Sequence, residues 1–164
     1  MTPPRNALQQ RLLNDPDTPV PQVQLLSNGH YHVMLTAAGS GYSRCGALAL
    51  TRWRDDAVRD HLGNFCYVSD VDSGALWSAT HQPMLCRAER YLADFSDGRA
   101  CFTRHDHGIE VHTEVAVAAS ADVEVRRVRV TNHSGVLRTI ALTSYAEIVL
   151  APPATDAAHP AFNK

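Results

Sequence analysis

Short stretches of alternating apolar and polar residues, separated by turn sequences, recur throughout this chain. In residues 109–117 every second side chain is apolar or threonine, and residues 30–36 and 90–96 show the same period. A period of two is that of a half-buried β-strand. Turn signals such as Asn28-Gly29 and Asp97-Gly98 recur about every 8–14 residues. The sequence therefore predicts an all-β fold, an antiparallel β-sandwich.

The same signals locate individual elements. Strands are predicted at 22–26, 30–36, 47–53, 65–68, 75–78, 90–96, 99–105, 109–117, 123–131 and 138–150. A short helical turn is predicted within 9–14, and a loop or one helical turn at 54–61. In 123–131 both faces carry charged residues, which predicts a bulge or a two-sided environment.

Composition excludes several classes of protein. The chain has 164 residues, 45% of them hydrophobic, and a net charge of −2, which predicts a globular domain with its own core. No basic run exceeds Arg126-Arg127, so neither nucleic acid nor an anionic membrane is expected as partner. No apolar run approaches the ~20 residues of a membrane span. Residues 1–13 lack the apolar core of a signal peptide, so a cytoplasmic location is expected.

A glycine-rich stretch at 37–53 is the first candidate for a binding surface. Gly39 and Gly41 predict an open turn that leads directly into Tyr42, with Trp53 farther along. Aromatic rings next to hydroxyl groups can stack on a ring-shaped polar partner and hydrogen-bond to it. Structural turns also produce such sequences, and the stretch alone does not decide between the two.

Sugar recognition requires flat aromatic rings together with planar polar groups. The candidate carbohydrate-binding residues of these types are Tyr42, Arg52, Trp53, Trp77, His81 and Gln82. For Trp53 and Trp77 the alternative is a place in the core, where large aromatic side chains are common.

Carboxylate pairs offer little support for catalysis. Asp70 and Asp72 lie in a predicted turn, and Asp55 and Asp56 in a charged loop, so all four are predicted to be solvated. A glycosidase requires two acids a few ångström apart, one of them with a raised pKa. No catalytic residue is predicted.

Metal binding is also not predicted. The pairs His30/His32 and His105/His107 have the spacing of two ligands on one strand face, which can bind a metal together. No third potential ligand lies at a spacing typical of metal sites. The four cysteines form no C-x-x-C pair and are expected to be reduced and packed. Neither a metal nor another cofactor is expected.

Several segments together carry a family resemblance. They are residues 24–34, 41–44, 51–54, 70–74, 77–78, 81–83, 142–153 and 159–162. In this order they resemble the N-terminal region of glycosyltransferase family 36, now placed in glycoside hydrolase family 94, and above all its cyclic β-1,2-glucan synthase branch. Two positions depart from that branch, which commonly has tryptophan at Cys45 and an acidic residue at Ala47.

The resemblance implies a galactose-mutarotase-like supersandwich that precedes an (α/α)6 catalytic barrel. The family's general acid lies in that barrel, so the chain is expected to be a fragment without activity of its own, although the full-length enzymes are glycosyltransferases and inverting phosphorylases. Residues 1–21 would be a proline-rich linker, and residues 22–164 an incomplete sandwich. Membrane association is expected only through a larger parent protein.

Three functions stay open. The first is a non-catalytic carbohydrate-binding module for a β-linked gluco-oligosaccharide or glucan. The second is a structural or dimerisation domain that packs on the catalytic barrel or on a second subunit. The third is an independent enzyme of mutarotase or metal-dependent type.

Overall fold

The computed structural model describes residues 10–54 and 60–160. The strands of these residues are β1 (Arg11–Leu13), β2 (Val23–Ser27), β3 (Tyr31–Thr36), β4 (Gly41–Cys45), β5 (Leu48–Thr51), β6 (Asn64–Asp70), β7 (Leu76–Ser78), β8 (Arg90–Ser96), β9 (Arg99–Asp106), β10 (Ile109–Val117), β11 (Glu124–Asn132), β12 (Ile140–Ala146) and β13 (Ile148–Ala151). A single helical segment, α1 (Pro153–Ala158), follows them in the described part of the chain.

The strands form three antiparallel sheets. Sheet A has the order β1-β8-β9-β10-β11, sheet B the order β13-β5-β4-β3-β2, and sheet C the order β12-β6-β7. Every strand pair runs antiparallel. The predicted all-β, antiparallel fold is confirmed.

Two apolar clusters hold the sheets together. The first joins sheets A and B, with Val33 and Leu35 on one side and Phe95 and Phe102 on the other. The second joins sheets A and C, around Trp77. Sheet A is therefore one layer of a sandwich whose other layer consists of sheets B and C. Full burial of side chains of this size contributes about 1.5–3 kcal/mol each.

Strand β10 shows why the period-two pattern predicts this fold well. Ile109 and Val111 lie in the second cluster, and Val115 lies in the first. The alternation of apolar residues along this one strand thus supplies both halves of the core. Strand β11 pairs with it in uniform register, from the pair Val117 and Glu124 to the pair Ile109 and Asn132. Of the two alternatives predicted for this strand, a bulge or a two-sided environment, the bulge is therefore absent from this pair.

Two predictions for the ends of the chain are wrong. Arg11–Leu13 is not a helical turn but a strand on the edge of sheet A, where Leu13 packs on the first cluster. The predicted single run 138–150 is divided into β12 in sheet C and β13 in sheet B. The division falls at Glu147, whose carbonyl accepts a hydrogen bond from Arg52 N at 2.9 Å. Both outcomes depend on long-range pairing that local sequence does not encode.

The second half of the predicted glycine-rich turn is a strand, because Gly41–Cys45 is β4 and pairs with β3. The strand predicted at 47–53 is confined to Leu48–Thr51. Helix α1 was not predicted; a proline at its first position suits a helix start, since that N–H has no intrahelical partner.

Some predictions lie outside the described residues. These are Asp55 and Asp56, most of the loop at 54–61, residues 1–9 of the linker, and the last four residues. Within residues 10–54 and 60–160, no helical segment has the length and hydropathy of a membrane span. The division into a linker at 1–21 and a domain at 22–164 stays a prediction.

Candidate functional site

The glycine-rich turn is present but is buried, so the prediction of an open turn is wrong. A Cβ on Gly39 would lie 2.3 Å from Thr80 Cβ, and a Cβ on Gly41 would lie 1.8 Å from the Met34 carbonyl oxygen. Their φ angles are +93° and +151°, in the region that favours glycine. Glycine is required here for close packing and not for access to a ligand.

The loop that carries His81 and Gln82 docks on this turn. Gln82 N donates to Ala38 O at 2.9 Å, and the Thr80 hydroxyl donates to Gln82 O at 2.9 Å. Gln82 is buried, and His81 is half-buried. Burial, together with the nearby charge of Arg104, lowers the pKa of His81. Both candidates are therefore near the glycine turn, with Gln82 enclosed in the fold and His81 still partly exposed.

Tyr42 and Trp53 form the exposed part of the candidate surface. Their ring centroids are 5.7 Å apart with an interplanar angle of 60°, and both side chains are partly exposed. The guanidinium of Arg44 lies 5.9 Å from the Tyr42 ring centroid. Tyr42 and Arg44 lie on the outer face of β4, since the intervening Ser43 is buried and bonds to Glu124. We call Tyr42, Arg44 and Trp53 the aromatic platform.

Arg52 is engaged in an ion-pair network next to this platform. Its guanidinium donates to Asp156 at 2.8 and 3.1 Å and to Glu147 at 2.9 Å. Asp156 is buried, and its hydrogen bond to Arg52 is the main reason that the pKa of Arg52 is raised. The structure therefore shows Arg52 fastening β5 to α1 and to the start of β13.

Trp77 lies in the second core cluster with 2% of its surface exposed. Its ring packs against His107 at a centroid distance of 5.5 Å. Stacking on a sugar requires an exposed ring face, which Trp77 does not present. Of the two indoles, Trp53 alone is partly exposed among the described residues.

Asp70 is buried, which corrects the prediction that it is a solvated turn residue. It ion-pairs with Arg138 and accepts hydrogen bonds from Ser73 Oγ and Asp72 N. The hydrogen bond from Arg138, followed by that from Ser73, lowers the pKa of Asp70 to about 2. Asp72 is exposed as predicted and accepts from Thr139 N at 2.9 Å. The two carboxylates thus fasten the β6–β7 hairpin to the segment before β12.

This ion pair predicts a specific acid sensitivity. Because the pKa of Asp70 falls from 3.8 to about 2 on folding, its contribution to stability is complete above 3.8 and is lost as the pH falls toward 2. Asp70→Asn is expected to flatten that part of the stability–pH curve, measured by urea unfolding. The matched control is Asp97→Asn, an exposed turn aspartate. An unchanged slope in Asp70→Asn would contradict the assignment.

In the two histidine pairs that the sequence analysis considered, each histidine has a hydrogen-bond partner outside its pair. His32 Nδ1 lies 2.8 Å from Ser27 Oγ, whereas His30 Nδ1 lies 2.7 Å from Asp122 Oδ2. His105 Nδ1 lies 3.0 Å from Glu89 Oε2, and the backbone N of His107 donates to the same carboxylate.

A cavity of about 360 Å³ lies on the inner side of β11. Glu124 and Arg126 line it, and they pair with each other. Arg126 also donates to Asn64 O at 2.7 Å, and Thr113 Oγ1 has no hydrogen-bond partner within the described ranges. Since its charges already pair with each other, a ligand here would have to displace them. In the described part of the chain, Arg44 of the aromatic platform lies against the Tyr42 ring and has no ion-pair partner.

The comparisons with known proteins agree with the β-sandwich fold of the chain. Residues 8–164 match the family model described as glycosyl hydrolase 94, supersandwich domain. The chain is 41% identical, over 94% of its length, to the cyclic beta-(1,2)-glucan synthase NdvB of Rhizobium meliloti (strain 1021). It is 26% identical, over 87% of its length, to the N,N'-diacetylchitobiose phosphorylase of Vibrio proteolyticus, and 24% identical, over 92%, to that of Vibrio furnissii. The matched region spans 5%, 18% and 20% of these relatives, respectively.

Proposed function

The chain belongs to the glycosyl hydrolase 94 supersandwich domain family, and from this premise we propose that it is a non-catalytic domain that binds carbohydrate. The observation that carries the proposal is the aromatic platform on the outer face of sheet B. The higher identity to the cyclic glucan synthase favours a β-linked gluco-oligosaccharide or glucan as ligand. The names of the phosphorylase relatives make diacetylchitobiose the first alternative ligand.

The chemistry of the platform suits a sugar ring. The C–H face of a pyranose packs on an aromatic ring, and a guanidinium supplies several N–H donors for hydroxyl oxygens. Trp53 and Tyr42 would supply the rings and Arg44 the donors. One stacked ring and a few hydrogen bonds are compatible with a dissociation constant of about 1 mM, or about −4 kcal/mol.

Tryptophan fluorescence tests the proposal because the two indoles lie in different environments. In a Trp77→Phe variant, Trp53 is the remaining indole of the chain, and titration with a β-1,2-linked gluco-oligosaccharide is expected to change its emission with a midpoint near 1 mM. Adding Tyr42→Ala should shift that midpoint upward several-fold, because one ring face is lost.

The reciprocal variant is the control. Trp53→Phe retains the buried Trp77, whose emission is expected to stay constant during the same titration. Flat emission of Trp53 and flat NMR shifts up to tens of millimolar, with both β-1,2-glucan oligomers and diacetylchitobiose, would eliminate the carbohydrate-binding proposal.

A second function, as a structural or dimerisation domain, is favoured by a different observation. Large apolar side chains are exposed along β12, β13 and the segment before them. These side chains are Leu137, Leu142, Tyr145, Ile148 and Leu150. Strands β12 and β13 are edge strands of sheets C and B, and exposed apolar side chains at sheet edges attract a partner when they are left uncovered. We call these five side chains the apolar seam. The partner would be a second subunit or the catalytic barrel of a larger enzyme.

Self-association tests this second function. Light scattering at micromolar concentration is expected to show a dimer, and Leu142→Lys is expected to shift it toward monomer. Leu25→Lys is the matched control, since Leu25 is an exposed leucine on β2, at the other edge of sheet B from β13. A wild-type monomer, or equal effects of the two substitutions, would argue against the apolar seam as a subunit interface.

A further inference from the structure

Three side chains with metal-binding chemistry converge at one end of sheet B. His30 follows the turn between β2 and β3, Cys45 ends β4, and Asp122 lies in the loop between β10 and β11. One ligand atom from each lies within 4.8 Å of the other two. His30 and Asp122 are exposed and Cys45 is half-buried, so an ion can reach the cluster from solvent.

We propose that His30, Cys45 and Asp122 form a site for a single divalent transition-metal ion, with zinc as the preferred ion. Thiolate, imidazole and carboxylate are the three ligand types that proteins use for zinc. A fourth position facing solvent would be filled by water. Neither the aromatic platform nor the apolar seam includes these residues.

The distances fit tetrahedral coordination with a small adjustment. With standard zinc–ligand bond lengths, the sulfur and nitrogen ligands of a tetrahedral site lie about 3.5 Å apart, and the nitrogen and oxygen ligands about 3.4 Å apart. Cys45 Sγ lies 3.5 Å from His30 Nδ1, and Asp122 Oδ2 lies 2.7 Å from the same nitrogen. Metal binding would therefore replace the His30–Asp122 contact and separate those two atoms by less than about 1 Å.

The backbone around the cluster is already held in place. Asn28 Oδ1 accepts from the backbone N of His30 and of Tyr31, at 3.0 and 2.8 Å. The amide nitrogen of the same side chain donates to Ala118 O and Ala121 O, at 3.0 and 2.9 Å. Asn28 thus ties the turn that carries His30 to the loop that carries Asp122. Only side-chain rotation is needed to complete the site, and such outer support raises metal affinity.

The same geometry argues against a catalytic cysteine. In a cysteine–histidine–aspartate triad the acid and the thiol contact different nitrogens of the imidazole. Here Asp122 and Cys45 both approach His30 Nδ1. The arrangement converges on one point, as ligands do, and provides no path for a proton through the ring.

Cobalt titration of the purified chain tests the proposal. Co²⁺ is expected to bind with one-to-one stoichiometry and to give a thiolate-to-cobalt charge-transfer band, which an equivalent of Zn²⁺ abolishes. Cys45→Ser is expected to remove the band, and Asp122→Asn to weaken Co²⁺ binding by about 10-fold or more.

Cys86→Ser is the matched control, because Cys86 is also half-buried but does not belong to the cluster. Circular dichroism of the metal-free variants confirms that each is folded. The absence of a charge-transfer band in wild type, a band that survives Cys45→Ser, or a band removed by Cys86→Ser would each overturn the proposal. An unchanged sugar titration in Cys45→Ser is expected, since the Cys45 side chain packs against the first core cluster, on the opposite face of β4 from the exposed Arg44.

Discussion

Replacing Asp106 with alanine is expected to lower the free energy of unfolding by about 3–5 kcal/mol. Arg104 has no exposed surface, and its guanidinium bonds to the Asp106 carboxylate at 2.6 and 3.2 Å. It also donates to the carbonyls of Thr80 and Cys86, at 2.8 and 2.9 Å. Removal of Asp106 would leave a buried positive charge without its counter-ion. The same loss would loosen the loop that holds Thr80 against the glycine turn.

Denaturant unfolding of matched variants measures this effect. Arg99→Ala is the control, because Arg99 is half exposed and lies 3.7 Å from Glu114, and an exposed pair contributes about 1 kcal/mol or less. The double variant Arg104→Met/Asp106→Leu is expected to be more stable than Asp106→Ala, since it removes the charge along with its partner. A cost for Asp106→Ala no greater than that of Arg99→Ala would disprove the role assigned to this pair.

Local pattern predicted those parts of the fold in which neighbouring strands are also neighbours in sequence. The hairpin of β8 and β9 is confirmed because the turn dipeptide Asp97-Gly98 and the alternation of Arg90–Ser96 act within a few residues of each other. Strand β1 was missed because its partner β8 lies far along the chain. The division of 138–150 was missed because two different sheets compete for one β-prone run.

The buried ion pair of Arg104 and Asp106 could have been predicted from the period-two pattern of β9. Arg104 and Asp106 stand at the same phase of β9 as the core residue Phe102. A period-two pattern therefore places both charges on the inner face, where they must pair. The strand predicted at 99–105 includes Arg104, whereas Asp106 lies one residue beyond its predicted end and within β9 of the structure.

Less of the candidate site than of the fold could be predicted from the sequence. Tyr42 and Trp53 belong to different stretches, and the structure brings their rings into contact. Arg52 and Trp77 have residue types suited to sugar, but one fastens α1 and the other fills the core. Residue type does not distinguish these roles, because the same side chains serve recognition and packing.

The three proposed metal ligands are too far apart in the sequence to form a recognisable motif. Cys45 and Asp122 lie 15 and 92 residues from His30 along the chain. Cysteine and histidine patterns identify a site only when the ligands come from one short segment.

Gly41→Ala is expected to cost at least about 4 kcal/mol or to prevent folding, which places it among the largest single-residue effects. A Cβ on Gly41 would lie 1.8 Å from the Met34 carbonyl oxygen and 2.8 Å from its carbon. These are backbone atoms of the neighbouring strand β3, and they have no rotamer by which to move away. Relief of the overlap would require β3 and β4 to separate, at the point where Gly41 pairs with Leu35.

Gly29→Ala separates this steric effect from the strain of a positive φ. Gly29 has φ +96°, and a Cβ there would meet nothing within 4 Å, so its cost is confined to backbone strain of about 1–2 kcal/mol. Urea unfolding, followed by circular dichroism and by tryptophan emission, compares the two variants. Equal stabilities would mean that the glycine turn tolerates a side chain. A much larger loss for Gly41→Ala, with loss of the native tryptophan emission, would show that glycine is needed at position 41 to keep β3 against β4. Only with these two strands paired is Tyr42 held beside Trp53.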